Sequence, residues 1–357
     1  MNINELLHIA RERHCSDVHL TSERNPVFRI DGDLQETEFV LTPEERHSII
    51  LQMLDDSQKH IVLSRSDLDF SYALPNGDRH RVNIYHQQKH LAATLRVINN
   101  TIPNFDELGL PEALRKMADE PRGLVLITGP TGSGKSTTLA AMIDYINSNK
   151  AQHILTIEDP IEYVYSHKKS LVHQREVGTD VESFSTALRS ALREDPDVIL
   201  VGEMRDYETI SAAVTAAETG HLVFATLHTI GAADTINRII DVFPPHQQQQ
   251  IRTQLSAVLK GVVTQQLLRR ADGIGRVAAF EIMTGTDAVL NLIREDKCHQ
   301  LEGTIQISKK AGMTTLDSAL GEMVMNRVVT LDAALEKAKN KSNFDQFILK
   351  SIDNYSK

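Results

Sequence analysis

Leu124-Val125-Leu126-Ile127-Thr128-Gly129-Pro130-Thr131-Gly132-Ser133-Gly134-Lys135-Ser136-Thr137-Thr138-Leu139-Ala140-Ala141-Met142 joins an apolar run, a glycine-rich turn and a helix opening. Gly129 to Ser136 fit the pattern GxxxxGK[ST] in full, in the strand–loop–helix context that gives the pattern its meaning. Glycines let the backbone wrap closely, so that its N–H groups can point at phosphates, and the helix N-terminus adds a favourable dipole. Lys135 supplies a mobile positive charge for the β- and γ-phosphates, and Ser136 offers a hydroxyl to Mg²⁺. Gly129, Pro130, Thr131, Gly132, Ser133, Gly134, Lys135, Ser136 and Thr137 are the candidate ATP-binding residues.

Working outward, Ile154–Ile157, Val198–Val201 and Leu222–Ala225 are further short apolar runs. Such runs, alternating with helical stretches, suit a parallel sheet covered on both faces. Three carboxylates follow the first of these runs: Glu158, Asp159 and Glu162. Gly202-Glu203 follows the second, and His221 and His228 bracket the third. Open α/β sheets build their sites at the carboxyl ends of strands, so these residues are candidates for one phosphate pocket. Taken singly, an acidic residue after a strand equally well caps the next helix, and a lone histidine at a strand end usually serves the fold.

The first hundred residues read differently. Leu6 and Ile9 fit one face of an amphipathic helix, and Val27–Ile30 reads as a strand turning at Asp31-Gly32-Asp33. Leu68, Phe70, Tyr72 and Leu74 alternate with polar residues, the period of a half-buried strand. Pro75-Asn76-Gly77-Asp78 signals a hairpin, with Val82 and Ile84 on the return strand and Leu91 to Ile98 as another. Pro103, Pro111 and Pro121 punctuate residues 99–122, with a short helix from Glu112 to Ala118. A linker belongs there, because proline excludes regular pairing. The organisation expected is an α+β domain over 1–98, a linker over 99–122 and an α/β domain over 123–357. From about residue 245 the chain reads as mostly helical, and Gln247–Gln250 as an exposed helix start.

Bulk properties narrow the class. The 357 residues suffice for two ordinary domains. A net charge of −10 argues against a chain whose main task is gripping a nucleic-acid backbone. Cys15 and Cys298 lie far apart and form no CxxC pair, so two ordinary thiols are expected. The N-terminal stretch carries charges inside its apolar run and does not read as a signal peptide. No stretch approaches the roughly 18 apolar residues of a membrane span, so membrane association is expected to go through a partner.

The segments GPTGSGKST (129–137), ILTIEDPIEYVY (154–165), SALREDPDVILVGEMRD (190–206) and GHLVFATLHT (220–229) resemble four boxes of the type II/IV secretion ATPase superfamily. These are its Walker A, Asp box, Walker B and His box. The likeness extends to SDVHL (16–20), GRVAAFEIM (275–283) and NLIRE (291–295). Within the superfamily it is strongest to the PilT family of pilus-retraction ATPases. The P-loop begins at Gly129 and there is no cysteine cluster, whereas assembly and secretion members often carry an extra N-terminal domain and a tetracysteine insertion.

The resemblance implies an α/β fold: a RecA-like P-loop NTPase core preceded by a small α+β PAS-like domain. It implies that Glu162 is the general base that activates water. Glu203 would organise Mg²⁺, through water or directly, and His228 and His221 would sense or orient the γ-phosphate. Arg81 in HRVNIY and Arg96 in ATLRVI would act as arginine fingers, a role worth roughly 10³–10⁵ in rate; either also suits a solvated strand position. The implied assembly is a homohexameric ring with ATP held between the domains, whose closure drives a mechanical stroke. The implied partners are the inner-membrane platform protein of the type IV pilus machine and a second retraction ATPase. The implied location is the cytoplasmic face of the membrane. One departure stands out: Leu290 occupies the position where the family's AIRNLIRE-like segment has an arginine. Three other readings remain: an assembly or DNA-uptake pseudopilus motor, a nucleic-acid translocase stimulated by DNA, and a non-catalytic ring.

Overall fold

A computed structural model describes residues 1–30, 32–98, 101–341 and 344. Asp31 of the expected turn, residues 99 and 100 of the expected linker, and residues 342, 343 and 345–357 lie outside the described residues. Contacts divide the chain into two units, Met1–Thr101 with Pro160–Val164, and Ile102–Asp159 with Tyr165–Lys357.

In the first unit α1 (Ile3–Glu12) precedes β1 (Asp17–Leu20), β2 (Val27–Ile30) and β3 (Asp33–Glu36). Then come α2 (Pro43–Leu51), α3 (Asp56–Leu63), β4 (Leu68–Ala73), β5 (Arg79–Gln87) and β6 (His90–Val97). Each helix starts at a reciprocal cap: Asn2 with Glu5, Thr42 with Glu45, and Asp55 with Gln58. Such pairs satisfy two of the N–H groups that a helix start leaves without partners. The strands form one antiparallel sheet in the order β3-β2-β1-β6-β5-β4. The Pro75–Asp78 hairpin is present, with Gly77 at φ +89°. β1 is central to this sheet, yet at four residues it is too short for its period to show in the sequence.

One face of the sheet packs on the helices through Leu6, Leu7, Val18, Phe28, Val82, Ile84 and Leu95. Arg11 of α1 ties the layers: its Nη2 donates to the carbonyls of Arg79 (2.8 Å) and Ile98 (2.7 Å). Beneath it His80 on β5 is fully buried. Burial, and then the Arg11 charge, push its imidazole down to about 4. The unfolded chain therefore takes up a proton that the folded chain refuses. Stability from this group is whole above the ordinary histidine value, and is lost as pH falls from there toward 4. Between pH 7.5 and 5 the loss should be about 2 kcal/mol. Urea unfolding of wild type and His80→Leu at both pH values measures it: the variant should lose less stability than wild type on acidification. Parallel losses would exclude His80 as the source.

In the second unit Ile102 onward leads through the buried Phe105 to α4 (Glu112–Asp119). Phe105 meets Tyr145 edge to face at 5.3 Å, and the Arg115 guanidinium lies over both rings. There follow β7 (Gly123–Thr128), α5 (Lys135–Asn149), β8 (His153–Glu158), β9 (Leu171–Glu176) and α6 (Phe184–Ala191). Next are β10 (Val198–Val201), α7 (Tyr207–Glu218), β11 (Leu222–Leu227), α8 (Ala232–Asp241) and α9 (Gln248–Val258). The unit closes with β12 (Leu259–Arg269), β13 (Arg276–Thr284), α10 (Asp287–Arg294), α11 (Leu301–Ile307), α12 (Leu316–Met325) and α13 (Leu331–Lys337). The sheet runs β13-β12-β7-β11-β10-β8-β9 and is parallel except for the β12–β13 pair. β7, β10 and β11 are buried along their whole length, as strands covered on both faces must be.

Helices α9 to α13 make up most of the regular structure of the described chain beyond residue 245, as expected, but one hairpin interrupts them. Leu259–Arg269 and Arg276–Thr284 form the sheet's longest hairpin. LKGVVTQQLLR has no clean period of two because eight of its eleven positions are buried, and Asp272-Gly273 marks the turn. α10 packs through Val289 and Ile293, with Leu290 against the same core. Cys15 and Cys298 are free and buried. No helix among the described residues is long and apolar enough to cross a membrane.

Candidate active site

The loop after β7 turns on glycines in the left-handed region: Gly129 at φ +142°, Gly132 at +76°, and Gly134 at +89° as the N-cap of α5. Space adds a second constraint at two of them. A Cβ on Gly129 would collide with the carbonyl oxygen of Gln265 and approach Ser133 Oγ to 2.7 Å. A Cβ on Gly134 would come within 2.8 Å of Gln265 Nε2. Gln265 lies on β12, and its Oε1 accepts a hydrogen bond from Thr138 Oγ1 at 2.8 Å. The wall behind the loop is therefore β12, which the motif does not announce. Gly132 has open space around it.

Lys135 is buried at the first turn of α5, with Nζ donating to the carbonyls of Gly129 (2.9 Å) and Pro130 (3.1 Å). Ser136 and Thr137 follow in the same turn, where N–H groups lack helical partners. The buried Ser133 hydroxyl has no hydrogen-bond partner among the described residues. A caged ammonium, a helix start and an unmet hydroxyl fit a phosphate chain.

Register brings three strand ends to this loop. Gly129 N–H donates to Leu227 O, Gly202 N–H to Ile157 O, and Met204 N–H to Thr226 O, at 3.3, 2.8 and 3.0 Å. Glu203 and His228 consequently meet, with His228 Nε2 3.1 Å from Glu203 Oε1. Arg205 forks onto the same carboxylate through Nε and, at 2.6 Å, through Nη2. Burial raises the Glu203 carboxyl, but the Arg205 hydrogen bonds and the His228 charge outweigh it and leave it below the ordinary value. It is ionised at neutral pH, as a cation ligand must be. Among the described residues no group of three or more His, Cys, Asp or Glu could hold a metal. A Mg²⁺ ion here would rest on Ser136, Glu203 and the ligand's own phosphates.

Glu158 takes another role. Its Oε1 accepts from Thr156 Oγ1 (2.6 Å) and from Gln174 Nε2 (3.2 Å), so it braces β8 against β9. His221 is not brought to the group either. It stands before the first residue of β11 while His228 follows the last, about 20 Å of strand away. Its Nδ1 lies 2.9 Å from Ala216 O, closing the end of α7. A parallel sheet puts the two ends of one strand at opposite edges, which a motif bracketing the strand does not reveal.

The other candidates gather in the first unit. Arg81, Arg96 and Glu162, with Val97, Ile98, Pro160 and Tyr163, line a cavity of about 200 Å³. Sequence reasoning missed Gln265, Arg205 and Glu281. Glu281, buried on β13, accepts the first N–H groups of α8 (Ala232, 2.8 Å) and α12 (Leu316, 3.3 Å). It thereby fixes the helix that starts four residues after His228.

The model of the family described as "Type II/IV secretion system protein" matches residues 1–354. The chain belongs to that family. Among its relatives is the type IV pilus retractation ATPase PilT of Pseudomonas aeruginosa, 50% identical over 345 residues, 96% of this chain and 100% of that one. The twitching motility protein of Neisseria gonorrhoeae is 49% identical over 319 residues, 89% of this chain and 85% of that one. Among solved structures, the pilus retraction motor PilT with bound ADP superposes with a TM-score of 0.91 at 45% identity. That match covers 97% of this chain and 99% of the other. The likeness of this family member to the motor is thus one of whole chains, both units included, and the RecA-like α/β fold expected from the sequence stands.

Proposed function

We infer that the chain is an ATPase that drives type IV pilus retraction. The observation that carries this reading is the caged Lys135 loop joined by strand register to the Glu203–His228 pair, in a chain alike end to end to retraction motors. Lys135 and the N–H groups opening α5 hold the β- and γ-phosphates. Glu162 takes a proton from the attacking water, whose oxygen bonds the γ-phosphorus as the bond to the β-phosphate oxygen breaks, releasing ADP and phosphate. Arg81 and Arg96 neutralise charge on the transferring phosphoryl group, and His228 reports its presence to Glu203. Ser136 and Glu203 would hold a Mg²⁺ ion, directly or through water, and the ion would supply neutralisation of phosphate charge. The working form is a homohexamer acting on the pilus machine's inner-membrane platform protein, alone or beside a second retraction ATPase, at the inner face of the membrane. The acidic chain does not work on nucleic acid.

Pilus number and twitching in cells whose gene carries Glu203→Ala test direction and chemistry together. Abundant surface pili without twitching are expected. Bald cells would make this an assembly motor, and normal twitching would remove Glu203 from the power stroke.

A further inference from the structure

The antiparallel register of the first unit sets four side chains in a row across its outer face. Arg29 on β2 pairs with Asp17 on β1, Asp17 with Arg96 on β6, and Arg96 with Arg81 on β5. Neighbouring strands are about 4.8 Å apart, so three guanidinium groups share a strip in which like charges oppose one another. Asp17 is the carboxylate within the row, and its side chain is only 12% exposed. Its Oδ1 accepts from Arg96 Nε at 3.1 Å. Its Oδ2 accepts from Ser16 Oγ at 2.8 Å and faces Arg29 Nε at 3.9 Å. Arg81 is held differently: it forks onto Asp69 of β4 at 3.2 and 2.7 Å, and both side chains are nearly half exposed.

The two arginines that line the cavity with Glu162 thus have unequal anchors. Among the described residues the Asp17 bond engages only the Nε edge of Arg96, whose side chain remains 69% exposed. A guanidinium carries five donors, so the terminal amino groups remain for an anion while the stem is fixed. We propose that Asp17 is the positioning residue of Arg96, setting the direction in which that guanidinium meets the transferring phosphoryl group. Asp69 plays no comparable part for Arg81, because an exposed pair exchanges readily with water. The inference rests on the reading that Arg96 serves hydrolysis, and it adds the residue on which that service depends.

Steady-state ATP hydrolysis by the full chain, with kcat and KM measured separately, tests it. Asp17→Asn should lower kcat roughly 10- to 100-fold, the scale of a catalytic group misplaced by an ångström, with KM within about twofold. Asp17→Glu, which keeps the charge, should restore kcat to within about threefold, and Asp69→Asn should stay in that range too. Asp17→Asn in an Arg96→Ala background should cost nothing further, since coupled residues are not additive. An independent second loss there would mean that Asp17 acts through the fold. If Asp17→Asn alone fails to fold because Arg29 and Arg96 repel, Asp17→Asn with Arg29→Met removes that repulsion. The pair should fold and still show the low kcat; a normal kcat would overturn the proposal. If Arg96→Ala itself keeps kcat, the underlying reading of Arg96 fails. If Arg96→Ala loses kcat and Asp17→Asn does not, only the inference about Asp17 fails.

Discussion

Lys135→Ala should reduce ATP hydrolysis by roughly 10³-fold or more and weaken nucleotide binding by about 100-fold, because charge-assisted bonds to phosphate are among the strongest a protein makes. The structure sharpens this expectation. The Lys135 ammonium is caged by the carbonyls of Gly129 and Pro130, so it is held within the loop. Its removal takes away the positive charge and also a donor to the Gly129 carbonyl, while the Pro130 carbonyl keeps the Ser133 N–H at 3.2 Å. Lys135→Arg should not rescue, since a planar fork cannot occupy a pocket shaped for a compact ammonium. Binding of a fluorescent ATP analogue, with hydrolysis followed in the same preparation, measures both effects. Tight binding with hydrolysis lost would confine Lys135 to the chemical step, and unchanged hydrolysis would remove the loop from the mechanism.

Gly129→Ala should destabilise the second unit by about 2–4 kcal/mol, combining left-handed strain with an overpacked backbone contact. The φ of +142° disfavours any side chain, and the new methyl would meet the Gln265 carbonyl, which is held in the β12 ladder and cannot move aside. Gly132→Ala is the internal comparison. Its φ of +76° brings a similar penalty, of about 1–2 kcal/mol, but nothing lies near the added carbon. Thermal unfolding with and without ATP separates the two. Gly129→Ala should show the lower melting temperature and little stabilisation by nucleotide, and Gly132→Ala should melt closer to wild type. Equal melting temperatures would mean that β12 does not constrain the loop.

Local chemistry was legible without coordinates. The glycine–lysine loop with the helix opening behind it, the apolar runs of the parallel sheet and the Pro75–Asp78 hairpin all depend on neighbours a few residues apart. Short-range sterics, capping and period write such features directly into the order of residues. Glu203 could be placed at a strand end because a buried strand has a length, and the residue after it must emerge at the sheet's edge. What stayed hidden depends on which strands lie side by side. β12 does not stand out from the mostly helical stretch after residue 245 because burial on both faces erases its period, and with it went Gln265, the second reason, beside φ, that Gly129 and Gly134 are glycine. His221 looked equivalent to His228 until the sheet put them at opposite edges. Asp17 looked like one residue of a short motif until register set it between Arg29 and Arg96. The sequence by itself thus determined which groups could do phosphate chemistry. Only the tertiary structure decided which of them stand together, because strand order and register join residues that no local pattern links.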